Sequence, residues 1–160
     1  MNLNAMLSEM VKIVLGFPSA VPSSAAPSYV SLKNHERLCI VLAVANATTV
    51  TGSAITLKQA TAVAGTNAKT LAFTGAYRDI DTGAGDALSQ FAVSSNTFTT
   101  DNTNSKNLLY VIEVKAEDLD VNNGFNAVQV GLGNATAATV TALYLLYGEK
   151  FPTTASAIVD

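Results

Sequence analysis

Leu108-Leu109-Tyr110-Val111-Ile112-Glu113-Val114 opens the C-terminal third of this 160-residue chain and decides how the rest is read. It is rich in β-branched and aromatic residues, the pattern of a strand covered on both faces. A polar corner follows, Glu117 to Gly124, whose Asn123-Gly124 end favours backbone with positive φ. Phe125 to Leu132 predicts a second strand, with Val128, Val130 and Leu132 on one face. After Gly133-Asn134, Thr139 to Tyr147 predicts a third, in which Leu143, Leu145 and Tyr147 alternate with Tyr144 and Leu146. Three strands joined by short turns predict an antiparallel meander whose apolar faces the remaining chain must cover.

Upstream, the pattern continues as short strands. Tyr29 to Lys33 is brief, whereas Arg37 to Ala45 is nearly continuous in apolar residues and reads as central. Ala54 to Gln59, Thr70 to Tyr77 and Ser89 to Thr99 add three more; Ala60 to Lys69, an Ala/Thr/Gly segment, fits a loop or a weak strand. Loops rich in Gly, Asp and Asn separate them, notably Asp79 to Asp86 and Thr100 to Lys106. Strands at this spacing, without βαβ alternation, predict an all-β fold, an antiparallel β-sandwich or jelly roll. Three of the four prolines lie between residues 18 and 27, and the body from Tyr29 to Phe151 has none, as sheet ladders require.

The two ends read differently. Leu3, Met6, Leu7, Met10, Val11, Val14 and Leu15 follow the i, i+3, i+4, i+7 rule, which predicts an N-terminal amphipathic helix ended by Gly16-Phe17-Pro18. A Pro/Ser/Ala connector follows to Ser28. Beyond Phe151-Pro152 an extended tail ends in Ala157-Ile158-Val159-Asp160. The expected organisation is thus an arm over residues 1–28, a β body over 29–151 and a tail over 152–160. Both ends read as arms that need a partner surface, the helix for its apolar face and the tail for Ile158 and Val159. Either they dock on a neighbouring subunit, or the helix closes the open end of its own sandwich and the tail caps it.

Composition narrows function. Apolar residues make up 49% and charged residues only 13%, against roughly 25% in an ordinary soluble domain. A surface built from Thr, Ser and Asn suits packing against other protein copies. A net charge of −3 with scattered basic residues argues against nucleic acid as a partner. No apolar run approaches the roughly 20 residues that span a bilayer, so no membrane partner is expected. Met1 to Ala26 lacks a basic start, and Glu9 and Lys12 interrupt its apolar part, so it does not read as a cleaved signal peptide. The single cysteine, Cys39, reads as a small buried hydrophobe.

Chemistry is sparse. A serine nucleophile needs a base beside it, and the one histidine, His35, lies in a polar turn. No phosphate-cradling loop and no Gly-x-Ser-x-Gly elbow occur. Asp118, Asp120 and Asn122 imitate the front of a calcium loop, but Gly124 comes one position late and Gln129 replaces the bidentate glutamate. The expectation is therefore no catalytic residue, no cofactor and no metal, with Asp118, Asp120 and Asn122 forming a polar turn.

Several strings together resemble a family of small virion structural proteins encoded by tailed bacteriophages and prophages. They are Tyr29-Val30-Ser31-Leu32-Lys33-Asn34, Gln59-Ala60-Thr61, Gly65-Thr66-Asn67-Ala68-Lys69, Ala116-Glu117-Asp118-Leu119-Asp120-Val121 with Gly124-Phe125, and Ser156-Ala157-Ile158-Val159-Asp160. The resemblance covers most of the body and the C-terminus, but not the N-terminal segment. That family often carries an aromatic where this chain has His35. The resemblance implies a non-enzymatic virion component. A β domain with an apolar arm and a tail suggests a capsid decoration, or cement, protein on the capsid surface, with the major capsid protein as partner. A homo-oligomer is expected, a trimer being one arrangement that this plan allows. The alternative is a tail or head-fibre component binding a host receptor or glycan through exposed loops.

Overall fold

Backbone ladders rather than helices order residues 6–150, the residues that the computed structural model describes. In chain order the strands are β1 (Lys12–Ala20), β2 (Val30–Ser31), β3 (His35–Asn46), β4 (Ala54–Ala60), β5 (Lys69–Leu71) and β6 (Gly75–Asp79). They continue as β7 (Ser89–Ala92), β8 (Thr97–Thr99), β9 (Asn107–Lys115), β10 (Ala127–Leu132) and β11 (Ala138–Glu149). A larger sheet has the order β1-β11-β3-β9-β6-β7, and a smaller one β2-β10-β4-β5, with β8 alongside the other half of β4's edge. Every pairing is antiparallel. The fold is mostly antiparallel β-sheet.

The pairings are nested. β1 pairs with β11, β2 with β10, β3 with β9, and β4 with β8. The chain is thus a long hairpin whose two arms run side by side, and the hairpin is itself folded so that β11 meets β3 and β10 meets β4. One apolar cluster joins the two sheets: Leu38, Ile40 and Leu42 from β3 and Ile112 and Tyr144 from the larger sheet meet Ile55, Leu57, Val128 and Val130 from the smaller. Aromatic rings close one end, Phe98 of β8 lying 5.2 Å from both Phe91 and Tyr110, centroid to centroid. Such edge and offset contacts add to simple burial.

Several expectations are corrected. Among the described residues the N-terminal helix covers only Leu7–Met10, and Lys12–Ala20 is strand β1, so part of the segment expected as an arm supplies an edge strand. The same run also alternates, at Val11, Ile13 and Leu15, and over so few turns the two periods are hard to separate. The open edge of β11 then decides, because it offers a full set of backbone partners. Pro18 is tolerated there because β1 is an edge strand, and its pairing slips between Leu15 and Phe17 and again before Ala20.

The C-terminal meander is also corrected. β9 and β11 both flank β3, while β10 crosses into the smaller sheet. A strand that is apolar on both faces does not name its neighbours. Likewise, Thr70 to Tyr77 is not one strand but two, β5 and β6, in different sheets; Ser89 to Thr99 divides in the same way into β7 and β8. The segment between Ala60 and Lys69 is a turn, held by Thr61 N–H on Thr66 O at 3.0 Å. The expected tail, 152–160, lies outside the described residues.

Candidate interface surfaces

The expected docking residues do not share one face. Met6 and Leu7 are exposed, at 72% and 60%. Met10 and Val11 are half-buried, and Val14 packs inward against the core. Leu15 points the other way, outward at 53% exposed, beside Ile13 at 56%. Leu3, Ile158 and Val159 lie outside the described residues. Ile13 was missed because a helical reading places it on the polar side.

The alternation of β11 sets up a second apolar surface. Tyr144 and Leu146 turn into the core, while Leu143 and Leu145 turn outward. Register then places Ile13 and Leu15 beside Leu145 and Leu143, Cys39 and Val41 on their other side, and Val111 and Tyr77 farther along. An apolar band therefore crosses the outer face of the larger sheet from β1 to β6. Cys39 belongs to it: the side chain is half-buried on the outer face rather than enclosed in the core. Burial and the neighbouring Glu113 carboxylate push its thiol up to about 12. Glu113 accepts a 2.6 Å hydrogen bond from the Tyr147 hydroxyl, which is likewise raised to about 12, chiefly by burial.

The polar candidates are already engaged. Asp118 Oδ2 accepts the Lys115 N–H at 2.9 Å, capping a short 3-10 turn at Ala116–Asp118. Asp120 forms an ion pair with Lys69, and both its carboxylate oxygens accept from Asn123 Nδ2 at 2.9 Å. The Lys69 and Asn123 donors hold its carboxyl below the ordinary range. Asn122 is exposed at the turn. Among the described residues no three His, Cys, Asp or Glu side chains are grouped as a metal site. In the acidic loop, Asp81 pairs with Lys106 and Asp79 Oδ1 accepts the Asp81 N–H at 2.9 Å. His35 lies across from Glu149 at one end of the larger sheet, and its Nδ1 has no hydrogen-bond partner among the described residues. Among the described residues no helix is long and apolar enough to cross a membrane.

Comparison with protein-family models, curated proteins and solved structures gives no match.

Proposed function

We propose that this chain is a structural virion protein of a tailed bacteriophage, a jelly roll that decorates the head and holds neighbouring coat subunits together. The nested pairing carries this reading. A hairpin rolled on itself yields two four-strand sets, and β1-β11-β3-β9 with β2-β10-β4-β8 has that order, β5 to β7 being inserted at the tip. Jelly rolls are a common architecture of viral shells, as well as of lectins and cupins. A fold alone does not assign a function, so the surface must discriminate. Exposed Met6 and Leu7, the outward apolar band and a charged fraction of only 13% favour packing against protein over small-molecule chemistry.

The resemblance to phage virion proteins supports the same reading. In it, Met6 and Leu7 engage the major capsid protein, together with Leu3, Ile158 and Val159 on sequence grounds. Holding a shell requires shared buried area among many copies and no catalyst. The test is saturable binding of the purified chain to expanded heads that lack it. The double variant Met6→Asp/Leu7→Asp, which leaves β1 intact, is expected to bind at least about tenfold more weakly, since each loses an apolar anchor. Binding to tails or host glycans in place of heads would favour the receptor-binding alternative and overturn the cement reading.

A further inference from the structure

Val121 is an apolar side chain left 55% exposed on the short turn Val121–Asn123. Two adjoining hollows open beside it, and Ala116, Val121 and Lys150 line both. The larger, about 440 Å³, has Glu36, Arg37, Lys115 and Glu117 around its rim. The smaller, about 200 Å³, reaches Leu32, Leu119 and Phe125. Those three and Ala116 are buried, so the cleft has an apolar floor beneath a charged rim. The last described residue borders this cleft. β11 ends at Glu149, opposite His35, and the Lys150 N–H donates to Asn34 O at 3.1 Å. Lys150 is thereby fixed against the turn between β2 and β3, with both hollows beside it. The next residue is Phe151. Its Cα can stand only ~3.8 Å from that of Lys150, which keeps its ring within reach of the cleft.

We infer that Phe151 seats in this cleft, its ring against Val121 and Ala116, and latches the start of the C-terminal segment to the end of the sandwich. Room is sufficient, since a cavity of ~150 Å³ takes up a benzene ring. The rim suits an aromatic occupant in particular. Arg37 and Lys150 supply cations that a ring face attracts. The fold already uses such contacts, Lys69 lying 4.2 Å from the Phe125 centroid and Arg78 4.9 Å from that of Phe91. Charge does not oppose entry: Phe151 to Val159 are uncharged, and Lys115 and Glu117 on the rim pair with each other at 3.3 Å. Ile158 and Val159 are apolar too, but they stand seven and eight residues farther along the chain. The latch leaves them free to reach a neighbour. It concerns the isolated chain and stands apart from the virion reading.

The chain has no tryptophan, so Phe151→Trp in the full chain places a single indole at the seat. Its emission is expected to be blue-shifted from that of the urea-unfolded chain and less quenched by acrylamide. Adding Val121→Asp puts a carboxylate in the seat and is expected to return both signals toward the unfolded values, with an unchanged circular-dichroism spectrum. Leu88→Asp, at an exposed apolar residue beside the acidic loop, is expected to leave them unchanged. A double-mutant cycle of Phe151→Ala and Val121→Ala in urea tests the contact without the indole. The two losses are expected to be coupled, the double variant losing less than their sum. An indole as exposed as in the unfolded chain would overturn the inference. So would emission that Val121→Asp leaves unmoved in a folded chain, or losses that simply add.

Discussion

The Tyr144 hydroxyl, on the larger sheet, accepts the Val130 N–H of the smaller sheet at 3.1 Å and donates to the Ser28 carbonyl at 3.1 Å. β2 pairs with β10 only at Ala127 and Val128, so Val130 lies past the end of that ladder. The phenol supplies what β2 is too short to give. It thereby fastens the connector before β2, β10 and β11 at one point. Replacing it by Phe keeps the packing but leaves a buried N–H without its partner, a loss of about 1–3 kcal/mol. Urea unfolding of Tyr144→Phe should show a midpoint shift of that size with an unchanged slope; an unshifted midpoint would count against the tie.

The same ring limits its neighbour on β1. A Cβ added to Gly16 would stand 2.9 Å from Tyr144 Cζ and 3.1 Å from Ala142 Cβ. Both are buried and cannot move aside freely, so Gly16→Ala is expected to cost roughly 1–3 kcal/mol through overpacking. Gly85, in the acidic loop, has nothing within 4 Å of an added Cβ. Thermal melts of Gly16→Ala and Gly85→Ala should therefore differ clearly, the latter lying close to wild type.

Alkaline pH provides a third check. Burial raises Tyr144 to about 12, and Tyr147 and Cys39 are raised to about 12 as well. In the unfolded chain a tyrosine ionises near ~10. The folded state thus binds protons that the unfolded state has released. The associated stability is fully present below the unfolded values and is lost as pH rises through about 12. For Tyr144 the loss is on the order of 2 kcal/mol. Melting temperature measured from pH 8 to 12, beside absorbance of the phenolate, should fall before the last tyrosines ionise.

His35 titrates in the opposite range. Burial lowers its pKa from the ordinary value, partly offset by Glu149. Its contribution to stability is present above ~6.5, the unfolded value, and is lost as pH falls through the lower folded value. As the one histidine, it gives a single imidazole resonance by NMR, whose midpoint should lie below that of the urea-unfolded chain. A midpoint at or above the unfolded one would contradict the environment described for it.

Sequence patterns located most strands because local alternation and turn residues carry that information. Arg37 to Ala45 and Ala54 to Gln59 agree with β3 and β4 to within a few residues. What they could not supply was partnership. β9, β10 and β11 are adjacent in sequence, yet β10 lies in another sheet, a choice made by long-range register rather than by the residues of either turn. The N-terminal stretch failed for a different reason: a short run of Leu, Met, Val and Ile satisfies both periods, and β11's free edge selects between them. The outer band was half legible. Leu143 and Leu145 revealed an apolar second face, but their alignment with Ile13, Val41 and Val111 exists only once the sheet is assembled.

Decoration of a phage head, the role proposed for this chain, is open to direct measurement. The most direct measurement is quantitative mass spectrometry of purified particles, with packed heads separated from tails. A decoration protein is expected at a copy number comparable to the major coat protein, confined to the heads. A handful of copies in the tail fraction, or none in either, would contradict it.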